Sequence, residues 1–128
     1  MEALIYLDTH AVVWLYAKEL TRFTRGGLDS LEANELLISP MVLLELEYLH
    51  ETSRIQIRSR TICDSLEQTL GLHVCEGSFA PVVRLALEQS WTRDPFDRII
   101  VAQAKLADAA LLTKDSVILK HYKKAFWK

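Results

Sequence analysis

The apolar residues of this chain fall into short runs of two different periods. Residues 3–7, ALIYL, form an unbroken apolar run of strand length. Leu36-Leu37-Ile38 and residues 110–113 read the same way, with weaker strand candidates at 72–75 and 125–127. Between them lie helical signals. Asp8-Thr9 can cap a helix from near His10 that carries Ala11, Val12, Trp14 and Leu15. Residues 24–33 predict a second helix, weakened at its start by Gly26-Gly27. Ser39-Pro40 opens a third over 41–52 with proline at its first position, and a fourth over 58–70 stops at Gly71. Residues 81–89 predict a fifth, and Asp94, ahead of Pro95, caps a sixth that runs through Ile99, Ile100 and Val101. Strands alternating with helices imply an α/β fold. The expectation is one domain over 1–128, with a central parallel sheet of about four to five strands and helices on both faces.

Composition narrows the function classes. At 128 residues and 50% hydrophobic, the chain suits one domain with one core. Fifteen basic side chains against 17 acidic ones leave a net charge of −2, so nucleic-acid binding would have to rest on local patches. Cys63 and Cys75 are not spaced as a metal knuckle or a redox pair, and read as small buried side chains in a reducing compartment. No apolar run approaches the roughly 18 residues of a membrane span. MEALIYLDTH lacks a basic leader, so the expected location is the cytoplasm.

The acids are where the pattern becomes chemical. Open parallel sheets bind ligands beyond the carboxyl ends of their strands. Asp8 follows the first strand, Asp115 follows the run ALLT, and Glu45 lies a turn or two beyond LLI. Glu45 shares a helix face with Met41, Val42, Tyr48 and Leu49, whereas Glu47 falls nearly opposite, where a solvated glutamate belongs. Asp97 starts the apolar stripe of Ile100, Val101 and Ala104, while Arg98 leads toward Lys105. Each acid has a local explanation. Asp8 can be an N-cap, Asp94 and Asp97 a capping box, Asp115 a turn or the cap of a short last helix, and Glu45 the partner of a buried arginine. Together they would repel by several kcal/mol per close pair at an effective dielectric of ~20. They must then take up protons or hold cations. Carboxylate oxygens without cysteine or a histidine pair suit Mg²⁺ or Mn²⁺, the ions that assist phosphodiester cleavage.

The segments LDTH, ISPMVLLELEYL, RDPFDRIIVAQA and LLTKD, spread from Ile5 to Trp127, resemble the PIN-domain ribonucleases, especially VapC-type toxins of type II toxin–antitoxin pairs. The resemblance implies an acidic quartet of Asp8, Glu45, Asp97 and Asp115 around one or two Mg²⁺ or Mn²⁺ ions. Asp8, Asp97 and Asp115 would hold metal, and Glu45 would hold metal or orient the attacking water. Thr113 matches the family's small polar residue beside the metal. Asp94 belongs to the motif but is already explained as a cap. The implied substrate is RNA, cut to 5′-phosphate and 3′-hydroxyl ends. The implied partners are a cognate antitoxin and a second copy of the chain, for which residues 12–16 and 41–48 offer apolar surface or simply core.

Basic residues gather in SRIQIRSR, as Arg54, Arg58 and Arg60, and near the end as Lys120, His121, Lys123, Lys124 and Lys128. Both groups read equally as phosphate contacts or as solvated faces. Arg93 and Arg98 flank the acids and suit the substrate or a salt bridge that organises the site; His10 and His121 could assist near it, but a lone histidine is more often structural. A phosphoacceptor signalling domain fits poorly, since it wants paired acids where Asp8 precedes Thr9-His10, and an aspartate where Ser39-Pro40 stands. The alternative to an enzyme is a non-catalytic RNA- or protein-binding member of the same fold.

Overall fold

The computed structural model describes residues 3–128. Met1 and Glu2, the first residues of the segment read as lacking a basic leader, lie outside it. Five strands form one sheet: β1 (Leu4–Leu7), β2 (Glu35–Ile38), β3 (His73–Val74), β4 (Ala110–Leu112) and β5 (Ala125–Phe126). Their order is β3-β2-β1-β4-β5 and every pair is parallel. Ile5 pairs with Leu36 on one side and with Ala110 on the other. Consecutive residues of a strand point to opposite faces, yet Leu36, Leu37 and Ile38 are all buried, so both faces of the sheet are covered.

Among the described residues, the helices are α1 (Thr9–Tyr16), α2 (Arg25–Ala33), α3 (Pro40–Glu51), α4 (Ser59–Leu70), α5 (Phe79–Ala86), α6 (Pro95–Leu106) and α7 (Ser116–His121). Their ends follow from local chemistry. Ser39 accepts a hydrogen bond from the Met41 amide, and Pro40 occupies a helix position that needs no N–H. Gly71 ends α4 at φ +71, a left-handed conformation that favours glycine. Thr24 caps α2 through the Gly27 amide, and a Cβ on Gly27 would stand 3.0 Å from the Trp127 carbonyl oxygen.

Two expected boundaries shift. The fifth helix begins at Phe79 and ends at Ala86, earlier than 81–89, because Ser78 takes the N-cap position and Pro81 is tolerated in the first turn. Gln89 lies past the helix, buried, and accepts from the Trp91 indole at 2.9 Å. The weak strand signals shrink to two residues each, β3 and β5. Of the two alternatives for Asp115, the structure shows the cap of a short helix. A short 3-10 turn at Leu20–Arg22 had no signal in the pattern. Among the described residues, no helix is long and apolar enough to cross a membrane.

The chain runs β1 to β2 to β3 on one side, then crosses to β4 and β5 on the other. The order therefore reverses beside β1, and the crevice between the ends of β1 and β4 is a topological switch point. The core beneath it includes Leu7, Leu46, Ile100, Leu111 and Leu112, each buried. Val82, Ala86, Ile99 and Ala102 form a smaller cluster that joins α5 to α6. Truncating Leu111 to alanine is expected to cost about 2–5 kcal/mol, read as a lower urea midpoint at unchanged slope. Leu44, which is 58% exposed, should stay within about 0.5 kcal/mol of the parent when truncated.

Candidate active site

Three aspartates arrive at the switch point as helix caps. Asp8 precedes α1 and accepts from the Thr9 amide at 2.8 Å. Asp115 precedes α7 and accepts from the Val117 and Ile118 amides at 2.8 and 3.0 Å. Asp94 precedes α6 and accepts from the Phe96 amide at 2.8 Å. The cap explanations of Asp8, Asp94 and Asp115 are therefore correct, and they do not compete with a site; the Asp94–Asp97 capping box does not form, because the Asp94 amide donates to the Thr92 hydroxyl instead. A cap uses one carboxylate oxygen here, and the other of Asp94 and of Asp115 has no donor among the described residues.

Two buried threonines tie the acids together. The Thr113 hydroxyl donates to Asp8 Oδ2 at 2.7 Å and accepts from the Asp115 amide at 3.1 Å. It thus locks the end of β4 to the end of β1, beside the Asp8 amide that donates to the Leu112 carbonyl at 3.0 Å. The Thr9 hydroxyl donates to Glu45 Oε1 at 2.5 Å, and this bond, rather than a buried arginine, is what Glu45 meets. Thr9 escaped the sequence reading. A threonine at a helix start is commonplace, and its partner lies 36 residues away.

The carboxyls also perturb one another's titration. Burial pushes the Asp97 carboxyl up from an ordinary 3.8 to about 7, and the nearby Asp94, Asp8, Asp115 and Glu45 add to the rise. Asp8 is also raised, by burial first and then by Asp115, against the pull of its Thr113 and Thr9 bonds and of His10. Glu45 is raised by burial, with Asp8 and Asp94 pushing the same way and Thr9 and His10 opposing. All four acids of the expected quartet, with Asp94, lie in one electrostatic field. They do not yet close on a point: among the described residues, no three acidic, histidine or cysteine side chains stand at metal-ligating geometry. The donor chemistry itself, carboxylate oxygens without thiols, fits a hard divalent cation.

The basic residues separate. Glu47 faces outward as expected, but it is ion-paired there with Arg58 and accepts from the Ser59 amide and hydroxyl, anchoring the start of α4. Arg58 is thereby committed, Arg60 lies by Cys63 and Asp64 on another cavity, and only Arg54 reaches the site's margin. Lys124 pairs with Asp108 at 2.8 Å, and His121 stacks on Trp91 at 5.0 Å. Arg98 makes no salt bridge among the described residues; its Nε donates to the Thr92 carbonyl at 2.9 Å. Arg93 is exposed and joins no ion pair among the described residues. Lys114, unremarked in the sequence, faces the Trp14 and Trp127 rings at 6.0 and 5.9 Å. A cavity of about 650 Å³ opens beside Glu45 and Asp94, and one of about 380 Å³ beside Asp8, Asp115 and Lys114; His10 and Trp14 line both.

The family model for the PIN domain matches residues 5–124. The chain belongs to the PIN-domain family. This PIN domain is 32% identical over 121 residues to Ribonuclease VapC22 of Mycobacterium tuberculosis, covering 91% of each chain. Its fold also resembles VapBC2 from Rickettsia felis, solved bound to a DNA fragment from its promoter. The TM-score is 0.69 at 20% identity, over 98% of this chain and 97% of the other. A toxin–antitoxin complex from Klebsiella pneumoniae matches at TM-score 0.65 and 17% identity, over 95% of each chain.

The Asp97 shift gives this PIN domain a testable pH dependence. The folded state holds the Asp97 proton more tightly than the unfolded chain. That contribution to stability is full below about 4 and is lost as pH rises through about 7. In chelator, Asp97→Asn should flatten the fall in stability over this window and be the more stable protein at pH 8. Urea melts at several pH values read it directly.

Proposed function

We propose that this PIN domain is a metal-dependent endoribonuclease and the toxin of a toxin–antitoxin pair. The observation that carries the reading is the convergence of Asp8, Glu45, Asp97 and Asp115 at the switch point. Likeness to a ribonuclease over 91% of the chain supports RNA as the substrate. Structural likeness to toxin–antitoxin complexes supports an antitoxin as the partner. A second copy of the chain is the further partner we expect. Of the two segments considered for these surfaces, Val12 is core, whereas Leu44 is exposed.

One or two Mg²⁺ or Mn²⁺ ions, when bound, neutralise charge developing on the phosphodiester and make a water acidic enough to attack near neutral pH. Asp8, Asp97 and Asp115 hold the cations in this reading. Thr113 fixes the orientation of Asp8 and, through the Asp115 amide, the start of α7. Glu45, steadied at one oxygen by Thr9, has its other oxygen free to accept a proton from the attacking water. In-line attack leaves 5′-phosphate and 3′-hydroxyl ends. Because Asp97 titrates near 7, cation binding displaces a proton there, so Mn²⁺ affinity should rise as pH is raised from about 6 to 8.

The test incubates a pool of small structured RNAs with the protein and Mg²⁺ or Mn²⁺, with and without excess EDTA. Asp8→Asn and Asp97→Asn should each slow cleavage by at least roughly 100-fold. Thr113→Val should weaken Mn²⁺ binding by roughly 10- to 100-fold through loss of support for Asp8. A folded protein that neither cuts RNA nor binds Mn²⁺ would overturn the enzyme and leave the non-catalytic binding module in its place.

A further inference from the structure

The larger cavity beside the acids is built for more than a cation. Its volume, about 650 Å³, falls within the range of small-molecule sites. One wall carries Tyr48 of α3 and Phe96 of α6, with ring centroids 5.8 Å apart and planes tilted by 36°. Tyr48 is 44% exposed, a large aromatic surface left in water. Trp14 and His10 of α1 stand on the cavity as well. Its far margin carries Arg54, placed by a tight reversal after α3. There Ser53 adopts φ +62, and the Arg54 amide donates to the Leu49 carbonyl at 2.8 Å. Arg22 and Arg58 pair with glutamates, but Arg54 joins no ion pair among the described residues.

We infer that this cavity is a nucleotide subsite, in which one unpaired base of a single-stranded RNA stacks on Tyr48 and Phe96 while Arg54 contacts a backbone phosphate. The inference deepens the ribonuclease reading, because Glu45 and Asp94 line the same cavity and a strand seated there passes the acids. The chemistry selects this occupant. A base presents a flat apolar face to the rings, and the adjoining phosphate gives the guanidinium a bidentate partner. An apolar partner helix would cover Arg54, Glu45 and Asp94 without pairing them, at a desolvation cost. A duplex keeps its base faces stacked internally and offers none to Tyr48.

The probes are the four nucleoside 5′-monophosphates and ribose 5-phosphate, titrated into the full chain in Mg²⁺ with proton NMR of the aromatic rings as readout. Mononucleotides should shift the Tyr48 and Phe96 resonances saturably, and ribose 5-phosphate should not. Tyr48→Ala should weaken mononucleotide binding roughly 5- to 150-fold, with Tyr48→Phe restoring it. Arg54→Gln should weaken it without altering the ring shifts at saturation. Equal shifts from ribose 5-phosphate, unchanged affinity in Tyr48→Ala, or no saturable shift would each overturn the subsite; the last would leave the cavity to a protein partner. Separate cleavage assays keep the two readings apart. Metal-dependent cutting lost in Asp8→Asn, with Tyr48 indifferent to mononucleotides, sinks the subsite alone. Mononucleotide binding through Tyr48 by a chain that never cuts RNA sinks the nuclease alone.

Discussion

Mutual repulsion among carboxylates at the end of the sheet is the constraint to which the surrounding structure answers. Asp8 is buried, Glu45 and Asp97 are partly so, and Asp94 and Asp115 add their fields from the rim. Left in apolar surroundings, such a group would be neutralised or pushed apart. Here α1, α6 and α7 all begin at this point, and the positive ends of their backbone dipoles offset part of the negative charge. Thr9 and Thr113, both fully buried, supply hydroxyl donors to Glu45 and Asp8. Asp97, whose carboxyl none of the site's hydrogen bonds reaches, is pushed up to about 7 with no such bond to oppose the rise.

The helices bearing Glu45 and Asp97 are held in register by a polar chain inside the core. The Ser39 hydroxyl caps α3 through the Met41 amide and donates to Gln103 Oε1 of α6 at 3.0 Å. Gln103 Nε2 reaches Cys75 Sγ at 3.4 Å, and the Tyr6 hydroxyl donates to the same sulfur at 3.3 Å. One serine therefore sets the start of the glutamate's helix against the helix of the aspartate. Cys75 takes part as a free thiol, which gives the two-cysteine composition a structural use without a disulfide.

The basic surface shows the opposite economy. A domain with net charge −2 cannot draw RNA by its overall field, so the placement of individual cations matters. Two of those that cluster in sequence are held in ion pairs away from the site's acids, Arg58 on Glu47 and Lys124 on Asp108. Arg54 and Lys114 are the cations that line the cavities beside the acids. Lys114 faces the Trp14 and Trp127 rings, and Arg54 shares its cavity with Tyr48 and Phe96, surfaces suited to nucleotides as well as to charge.

The sequence by itself determined the alternation of strands and helices, the caps at Ser39, Asp94 and Gly71, and the distinction between Glu45 and Glu47. Those features depend on neighbours within a turn or a strand pair, where period and propensity are decisive. It also marked Asp8, Glu45, Asp97 and Asp115, because a carboxylate on an apolar stripe or at a strand end is visible without coordinates. Only the tertiary structure decided what those acids meet. Thr9 pairs with Glu45 across 36 residues, and Thr113 with Asp8 across 105, separations at which no local pattern records the contact. The same holds for Glu47, whose solvent-facing position the helix period predicted, but whose capture by Arg58 and Ser59 depended on how α4 folds back. Side-chain periodicity says which face a residue occupies; the packing of the elements says what waits there.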